Sequence, residues 1–401
     1  MYLVYFVVSS PHAVLFLCVL CVLWFPSTLA VLRVAPFSVF CVFCGFPLHM
    51  QCFSYVFHIL WFSFLTPSCG NNRIFYKKAS RFFCHNDFKY ATMKLNMKKA
   101  LSYFYYLLVA GLWKMYRLLP VSWAYKMGNG VGAGLFSLFR NTKRARIATD
   151  NVIIAGLAKT RAEAFRIARD ALGHFAGHEC EAIRASDVVT RENWRDYVSL
   201  EMTPASKQAI FENKEPVILA TGHLGSWEAG ITAITSARPM LAVARLMDNP
   251  YIQAFLERHN FRGGATIIPK KNGFSGDTLR MWQSKNAALT ILFDQFSSRG
   301  AEVPFFGHIV PVYTSPARLS YKTGRPVVVG GFLRTGLLKY KMVAIGDPIL
   351  PDLSKPHDEA IRELTAEYIA RLEQVIRMAP DQYLWMHRRF RGIPVPEVPQ
   401  K

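Results

Sequence analysis

The spacing of apolar residues changes character twice along the chain. From Met1 to Cys69 apolar side chains run almost unbroken, interrupted chiefly by Pro11, Pro26, Pro36, Pro47 and Pro67. These prolines leave pieces mostly shorter than the roughly 20 apolar residues that a spanning helix needs. A second apolar stretch, Ala100–Trp113, follows Lys98 and Lys99 and is closed by Lys114 and Arg117. That pattern predicts a membrane anchor helix over residues 97–120, with Trp113, Tyr116 and Trp123 at headgroup level and the two lysines on the cytoplasmic side. Residues 161–184 carry helical spacing. Beyond Glu192, short apolar runs alternate with helical stretches. Strands are predicted at Pro216–Thr221, Met240–Arg245, Ala265–Pro269, Ala287–Phe293, Pro326–Leu333 and Tyr340–Ile345, and helices at Tyr251–His259, Thr278–Ser284 and Pro356–Met378. Such interleaving predicts an α/β domain over 121–401 with a mixed or mainly parallel central sheet flanked by helices, whose sites form at the carboxyl ends of strands.

Composition separates the leader from the rest. Residues 1–96 hold seven of the eight cysteines, 15 of the 30 phenylalanines and one acidic residue, Asp87. Residues encoded by thymine-rich codons dominate there, so the segment reads as translation from upstream of the true start, with Met93 or Met97 as the expected first residue. Peptides from residues 1–90 in native protein would contradict this. Cys18, Cys21, Cys41 and Cys44 have the spacing of a four-cysteine zinc site, yet their surroundings are almost wholly apolar and offer ligands no supporting hydrogen bonds, so no metal is expected. The remaining 305 residues keep 41 basic and 26 acidic side chains, a net charge of about +15. This excess calls for an acidic partner: anionic lipid, nucleic acid or an acidic carrier protein. Only Cys180 remains, so no disulfide framework is available.

Gly128-Asn129-Gly130-Val131-Gly132-Ala133-Gly134 has the look of a nucleotide loop but follows no predicted strand, and close helix packing is the better account. Arg140, Lys143, Arg144 and Arg146 form a basic cluster, either a solvated helix face or a surface for anionic lipid. The strongest chemical signal stands where Val217-Ile218-Leu219-Ala220-Thr221 runs into Gly222-His223-Leu224-Gly225-Ser226-Trp227-Glu228. A buried strand delivers a histidine to a glycine-rich turn, and a carboxylate follows five residues later. Imidazole titrates in the range required to take a hydroxyl proton, and a carboxylate on its other nitrogen would fix the tautomer. The two residues lie about 140° apart on an ideal helix, so the turn must bend to bring Glu228 to His223. The same spacing recurs from His174 to Glu179, inside a helical run, where it reads as structural.

These residues resemble the signature of the bacterial lipid A biosynthesis acyltransferases, a branch of the lysophospholipid acyltransferase superfamily. Further blocks agree in order: Ala244-Arg245-Leu246-Met247-Asp248-Asn249-Pro250, Phe293-Asp294-Gln295, Val303-Pro304-Phe305-Phe306-Gly307, Ser315-Pro316-Ala317-Arg318-Leu319, and Pro380 through Phe390. The likeness covers approximately residues 97–395. Ser226 stands where many members have Asn, so the fit is to the family and not to one acceptor or chain length. The resemblance implies a glycerolipid-acyltransferase-like fold at the cytoplasmic face of the bacterial inner membrane. It implies transfer of a fatty acyl chain from an acyl carrier protein thioester to a hydroxyl of a lipid A precursor, without metal, nucleotide or other cofactor. His223 would be the general base and Glu228 its orienter.

Other residues fall into place around that expectation. Arg245 could bind a glucosamine phosphate or polarise the thioester carbonyl, or form a surface ion pair. Asn249 belongs to the same block. Asp294 and Gln295 end an apolar strand, where they could orient Arg245, bond substrate or anchor a loop. Arg299 and Gly300 could donate to an oxyanion or phosphate, and Phe306 could line an acyl groove or fill the core. His387, Arg388 and Arg389 could meet phosphate or complete the fold. A glycerolipid or other glycolipid acceptor is the nearest alternative. A basic membrane-binding protein without catalysis is the alternative of another class, disfavoured because strand-end His, Glu, Arg and Asp would be unexplained; no nucleic-acid module is recognisable.

Overall fold

The structure, a computed structural model, describes residues 99–244, 246–259, 264–269 and 275–401. The leader, with its four-cysteine motif and the expected start-site boundary, lies outside the described residues. The chain divides into a unit of Leu20–Phe104, of which only the first turns of one helix are described, and a larger unit that includes Tyr105–Lys401.

Helix α1 spans residues 99–118. It buries Val109, Trp113 and Tyr116, spaced at four and three residues, and leaves Leu107, Met115 and Leu118 exposed. This corrects the headgroup assignment for two of the three aromatics. Trp113 packs edge-on to Phe255 at 5.4 Å and His259 at 5.1 Å, and only Trp123 is exposed. Among the described residues no helix is long and apolar enough to cross a membrane. Next come α2 (Val121–Leu138), α3 (Lys143–Ile154) and the long α4 (Arg161–Val188), the last two capped by the hydroxyls of Thr142 and Thr160. The glycine run lies within α2 and serves close packing. A Cβ on Gly128 would stand 2.5 Å from the Ala176 carbonyl oxygen of α4, and one on Gly132 would stand 2.7 Å from Leu172 O.

A seven-stranded sheet follows: β1 (Val198–Glu201), β2 (Val217–Thr221), β3 (Met240–Ala244), β4 (Thr266–Pro269), β5 (Ala288–Leu292), β8 (Val327–Gly336) and β9 (Lys339–Ala344), in the order β1-β9-β8-β2-β5-β3-β4. All its pairings are parallel except the β8–β9 hairpin. Continuous apolar runs such as Val-Ile-Leu-Ala in β2 suit strands covered on both faces. The connecting helices are α5 (Trp227–Ala237), α6 (Pro250–Arg258), α7 (Gly276–Ser284), α8 (Ser315–Thr323) and α9 (His357–Met378). A separate antiparallel ribbon, β6 (Phe296–Phe305) with β7 (His308–Val312), stands between β5 and α8 in the chain. The expected α/β class and mainly parallel sheet are borne out. The ribbon and β1 were not predicted, because their side chains mix buried and exposed positions without a sustained period.

Candidate active site

The site is set by strand order. Strands β2 and β5 are hydrogen-bonded neighbours with Thr221 opposite Leu292, so residues two positions beyond those ends emerge together: His223 and Asp294. His223 Nδ1 lies 2.7 Å from Asp294 Oδ1, and the His223 backbone N–H donates to Asp294 Oδ2 at 3.0 Å. Asp294 is 2% exposed. Burial alone would raise its pKa, but the charge of His223 and the two hydrogen bonds outweigh it and hold the carboxyl at about 2. An ionised carboxylate only accepts, so Nδ1 carries the hydrogen and Nε2 bears the lone pair. Nε2 has no hydrogen-bond partner among the described residues and is not one of the polar atoms sealed from solvent.

The turn after β2 is clamped on both sides. Leu384 N donates to His223 O at 2.9 Å, Gly225 N to Gln382 O at 2.9 Å, and Ser226 N to Phe332 O at 2.6 Å. Gly225 adopts φ +68°, and a Cβ there would fall 1.7 Å from Phe332 O. Gly225→Ala therefore combines a left-handed strain with a backbone collision. It is expected to destabilise by about 3 kcal/mol or more, read as a large fall in the denaturation midpoint.

That clamped turn is why Glu228 does not take the place expected of it. It enters α5 in the first turn and faces α4, where its Oε2 comes 2.5 Å from His178 Nε2. The approach is close but poorly directed, and both atoms remain unsatisfied as hydrogen bonds, as does Oε2 of the adjacent Glu179. The carboxylate on His223 is Asp294. Donor atoms of His178, Glu179 and Glu228 all lie within 4.8 Å of one another, the donor set of a metal site. A tetrahedral zinc holds its ligand atoms about 3.3 Å apart, so the His178–Glu228 approach at 2.5 Å is closer than that geometry asks.

Glu179 is an acid that its surroundings favour in the neutral form. Burial, reinforced by the charge of Glu228, raises its pKa well above the usual carboxyl range. Above that ordinary range the unfolded chain releases a proton that the folded chain keeps, so the acid's contribution to stability declines as pH rises toward the native pKa. Glu179→Gln, which mimics the protonated acid, should raise the melting midpoint at pH 8 by about 2–4 °C for each kcal/mol relieved and leave it nearly unchanged at pH 4. Thermal melts of the two proteins at both pH values check this.

The remaining expected site residues are dispersed. Arg245 lies outside the described residues. Asn249 caps α6, accepting from Tyr251 N at 3.0 Å and Ile252 N at 3.3 Å. Gln295 is half-buried beside Asp294. Arg299 is exposed and Gly300 lies in β6, not in a loop. A Cβ on Gly300 would meet Val312 O at 2.1 Å, so the glycine serves close pairing with β7. Phe306 is core: it is 5% exposed, at the β6–β7 turn, against Phe305, Trp385 and Phe390.

Sequence reasoning missed Tyr383, a buried phenol whose pKa burial and the charge of Asp294 push well above its ordinary value. The segment from Gln382 to Arg389 crosses the site, and Asn151 of α3 holds it by donating to Trp385 O at 2.7 Å and His387 O at 2.6 Å. His387 sits within the field of the pair; burial lowers its pKa to about 4, and Arg389 and Arg144 push the same way. No spacing signals this arrangement, since Tyr383 and Asp294 are far apart in the chain.

A parallel α/β sheet that presents His and Asp at adjacent carboxyl ends is a scaffold for general-base chemistry. The sequence model of the bacterial lipid A biosynthesis acyltransferases matches residues 93–392. The chain belongs to that family. It is 27% identical over 215 residues to the lipid A biosynthesis palmitoleoyltransferase of Escherichia coli (strain K12), and equally to a lipid A biosynthesis acyltransferase of Shigella flexneri; in each case the match covers 51% of this chain and 64% of the relative. Among solved structures, the 1-acyl-sn-glycerophosphate acyltransferase of Thermotoga maritima aligns over 62% of this chain and 97% of its own, at 12% identity and a TM-score of 0.28.

Proposed function

We propose that the protein transfers a fatty acyl chain from an acyl carrier protein thioester to a hydroxyl of a lipid A precursor, with His223 as general base held by Asp294. The observation that carries the reading is the 2.7 Å contact from His223 Nδ1 to Asp294, which leaves Nε2 open in a chain of this family. The acceptor hydroxyl gives its proton to Nε2 as its oxygen attacks the thioester carbonyl carbon. The carbon–sulfur bond then breaks, and the imidazolium returns the proton to the departing sulfur. Asp294 steadies the imidazolium while it exists.

The exposed Leu107, Met115 and Leu118 of α1, with Trp123, support docking on the cytoplasmic surface of the inner membrane. The net positive charge suits both anionic lipid and an acidic carrier. Offering the purified chain an acyl-carrier thioester with either a lipid A precursor or a lysophospholipid, and weighing the products, tests the reading. Acylation of the lipid A precursor is expected. Acylation of the glycerolipid alone would overturn the acceptor, and no acylation of either would overturn the activity.

A further inference from the structure

The turn that carries His223 sits against a stretch of sheet edge that β2 does not reach. Strand β8 pairs with β2 over Val327–Val329 and then runs on to Gly336, so on that side Phe332 and Arg334 have no strand beside them. Backbone groups at a covered edge must find other partners. Ser226 N donates to Phe332 O at 2.6 Å. Two residues further on the partner is a side chain: Arg334 N donates to Gln382 Oε1 at 2.9 Å, and Gln382 Nε2 donates to Arg334 O at 2.8 Å. The amide of Gln382 thus does for β8 what the peptide group of a neighbouring strand would do. The backbone that follows it meets the His223 turn residue by residue. Gly225 N donates to Gln382 O at 2.9 Å, Tyr383 forms an antiparallel bridge with Leu224, and Leu384 N donates to His223 O at 2.9 Å.

Gln382 therefore sets the register between β8 and the short segment that grips His223. The strand edge it binds is itself fixed, because the Arg334 guanidinium lies 3.5 Å over the Tyr125 ring and donates twice to Glu181. The imidazole is held by Asp294 at Nδ1, so the direction of Nε2 follows the position of the residue 223 backbone. We propose that Gln382 is a positioning residue for acyl transfer: its amide, bound to both backbone groups of Arg334, fixes residues 382–384 so that Nε2 of His223 faces the acceptor hydroxyl. Gln382 acts through the turn and not on the reacting atoms. The inference rests on the acyl-transfer reading above. The role asks for a donor and an acceptor at the end of a side chain of this length. Asn falls one methylene short, ionised Glu accepts but cannot donate, and Ala offers neither.

The test measures kcat and both KM values for the full chain, Gln382→Ala and Gln382→Glu, beside Ile361→Val, a core change near the start of α9. Misplacing a reacting group by about 1 Å costs on the order of 100-fold, so Gln382→Ala should lose about 10–100-fold in kcat with donor and acceptor KM within about two-fold. Ile361→Val should keep the wild-type kcat below its melting range. Gln382→Glu should be impaired at about pH 8 and gain on the wild type as pH falls toward about 5, because the protonated acid recovers a donor. The Nδ1 proton of His223, far downfield in the proton NMR spectrum and identified by its absence in His223→Ala, reads the same placement without turnover. It should persist in Ile361→Val and broaden or vanish in Gln382→Ala. An unchanged kcat in Gln382→Ala, a rise in KM with kcat unmoved, a loss of rate no greater than the loss of folded protein, or an unmoved Nδ1 proton would overturn the positioning role. Wild type that transfers no acyl group, with the Nδ1 proton still lost in Gln382→Ala and kept in Ile361→Val, would overturn the activity and leave the positioning role standing.

Discussion

Asp294→Asn should retain the fold and lose on the order of 10³–10⁴-fold in acyl transfer. An Asn side chain can turn its amide N–H toward Nδ1, which places the hydrogen on Nε2 and removes the lone pair that must accept the hydroxyl proton. Retention of the fold is expected because Asn keeps the size of Asp and its carbonyl oxygen can still accept from His223 N, a bond of 3.0 Å in the native chain. Asp294 is held ionised down to about pH 2. Its contribution to stability is therefore present above the ordinary aspartate range and fades only as pH falls toward 2. Initial rates and thermal midpoints measured together separate lost chemistry from lost fold.

The parts of the molecule that sequence made legible share a physical cause. Strands β2 and β5 are buried along nearly their whole length, β3 and β8 open on apolar residues, and α4 and α9 carry long helical spacing, so the sheet and its helices could be anticipated. His223 could be located because a buried strand ends in a glycine-bearing turn. Its partner could not be. The short interval from His223 to Glu228 favours a local pairing, whereas the real contact depends on β5 lying next to β2. Nothing in the residues of either strand declares that adjacency. Asp294 was placed at a strand end with its role left open, and Tyr383 had no signal beyond its C-terminal block. The β6–β7 ribbon escaped for a different reason: Phe296–Phe305 mixes Ser, Arg, Gly and Glu with apolar residues, as expected where one face meets solvent.

The buried acids of α4 and α5 are the feature least expected from sequence. Residues 171–183 of α4 are buried throughout, and they include His174, His178, Glu179 and Glu181. Glu181 is satisfied, accepting from Arg334 Nε at 2.8 Å, Arg334 Nη2 at 3.0 Å and the Tyr340 hydroxyl at 3.2 Å. It ties the β8–β9 hairpin to α4. Gln382 and Arg334 then exchange backbone and side-chain bonds, N to Oε1 at 2.9 Å and Nε2 to O at 2.8 Å. The C-terminal segment is thus locked over the turn that carries His223, and the scaffold fixes the base more firmly than the turn alone would.

The central claim is that the imidazole of His223 takes the acceptor proton. Replacing it with Ala removes the group whose open nitrogen is held at the paired strand ends, and takes from Asp294 the imidazole that offsets its burial. General-base assistance by a positioned side chain contributes about 10²–10⁴-fold, and alanine supplies no compensating group. Some loss of stability is expected beside it, because Asp294 stays buried without its imidazole partner, while the backbone of residue 223 keeps its bonds to Asp294 and Leu384. The measurement that decides is the initial rate of acylated lipid A precursor formed by His223→Ala against wild type, by mass spectrometry at saturating donor. The account predicts a fall of at least about 10²-fold with the folded state retained. A rate within a few-fold of wild type would contradict it.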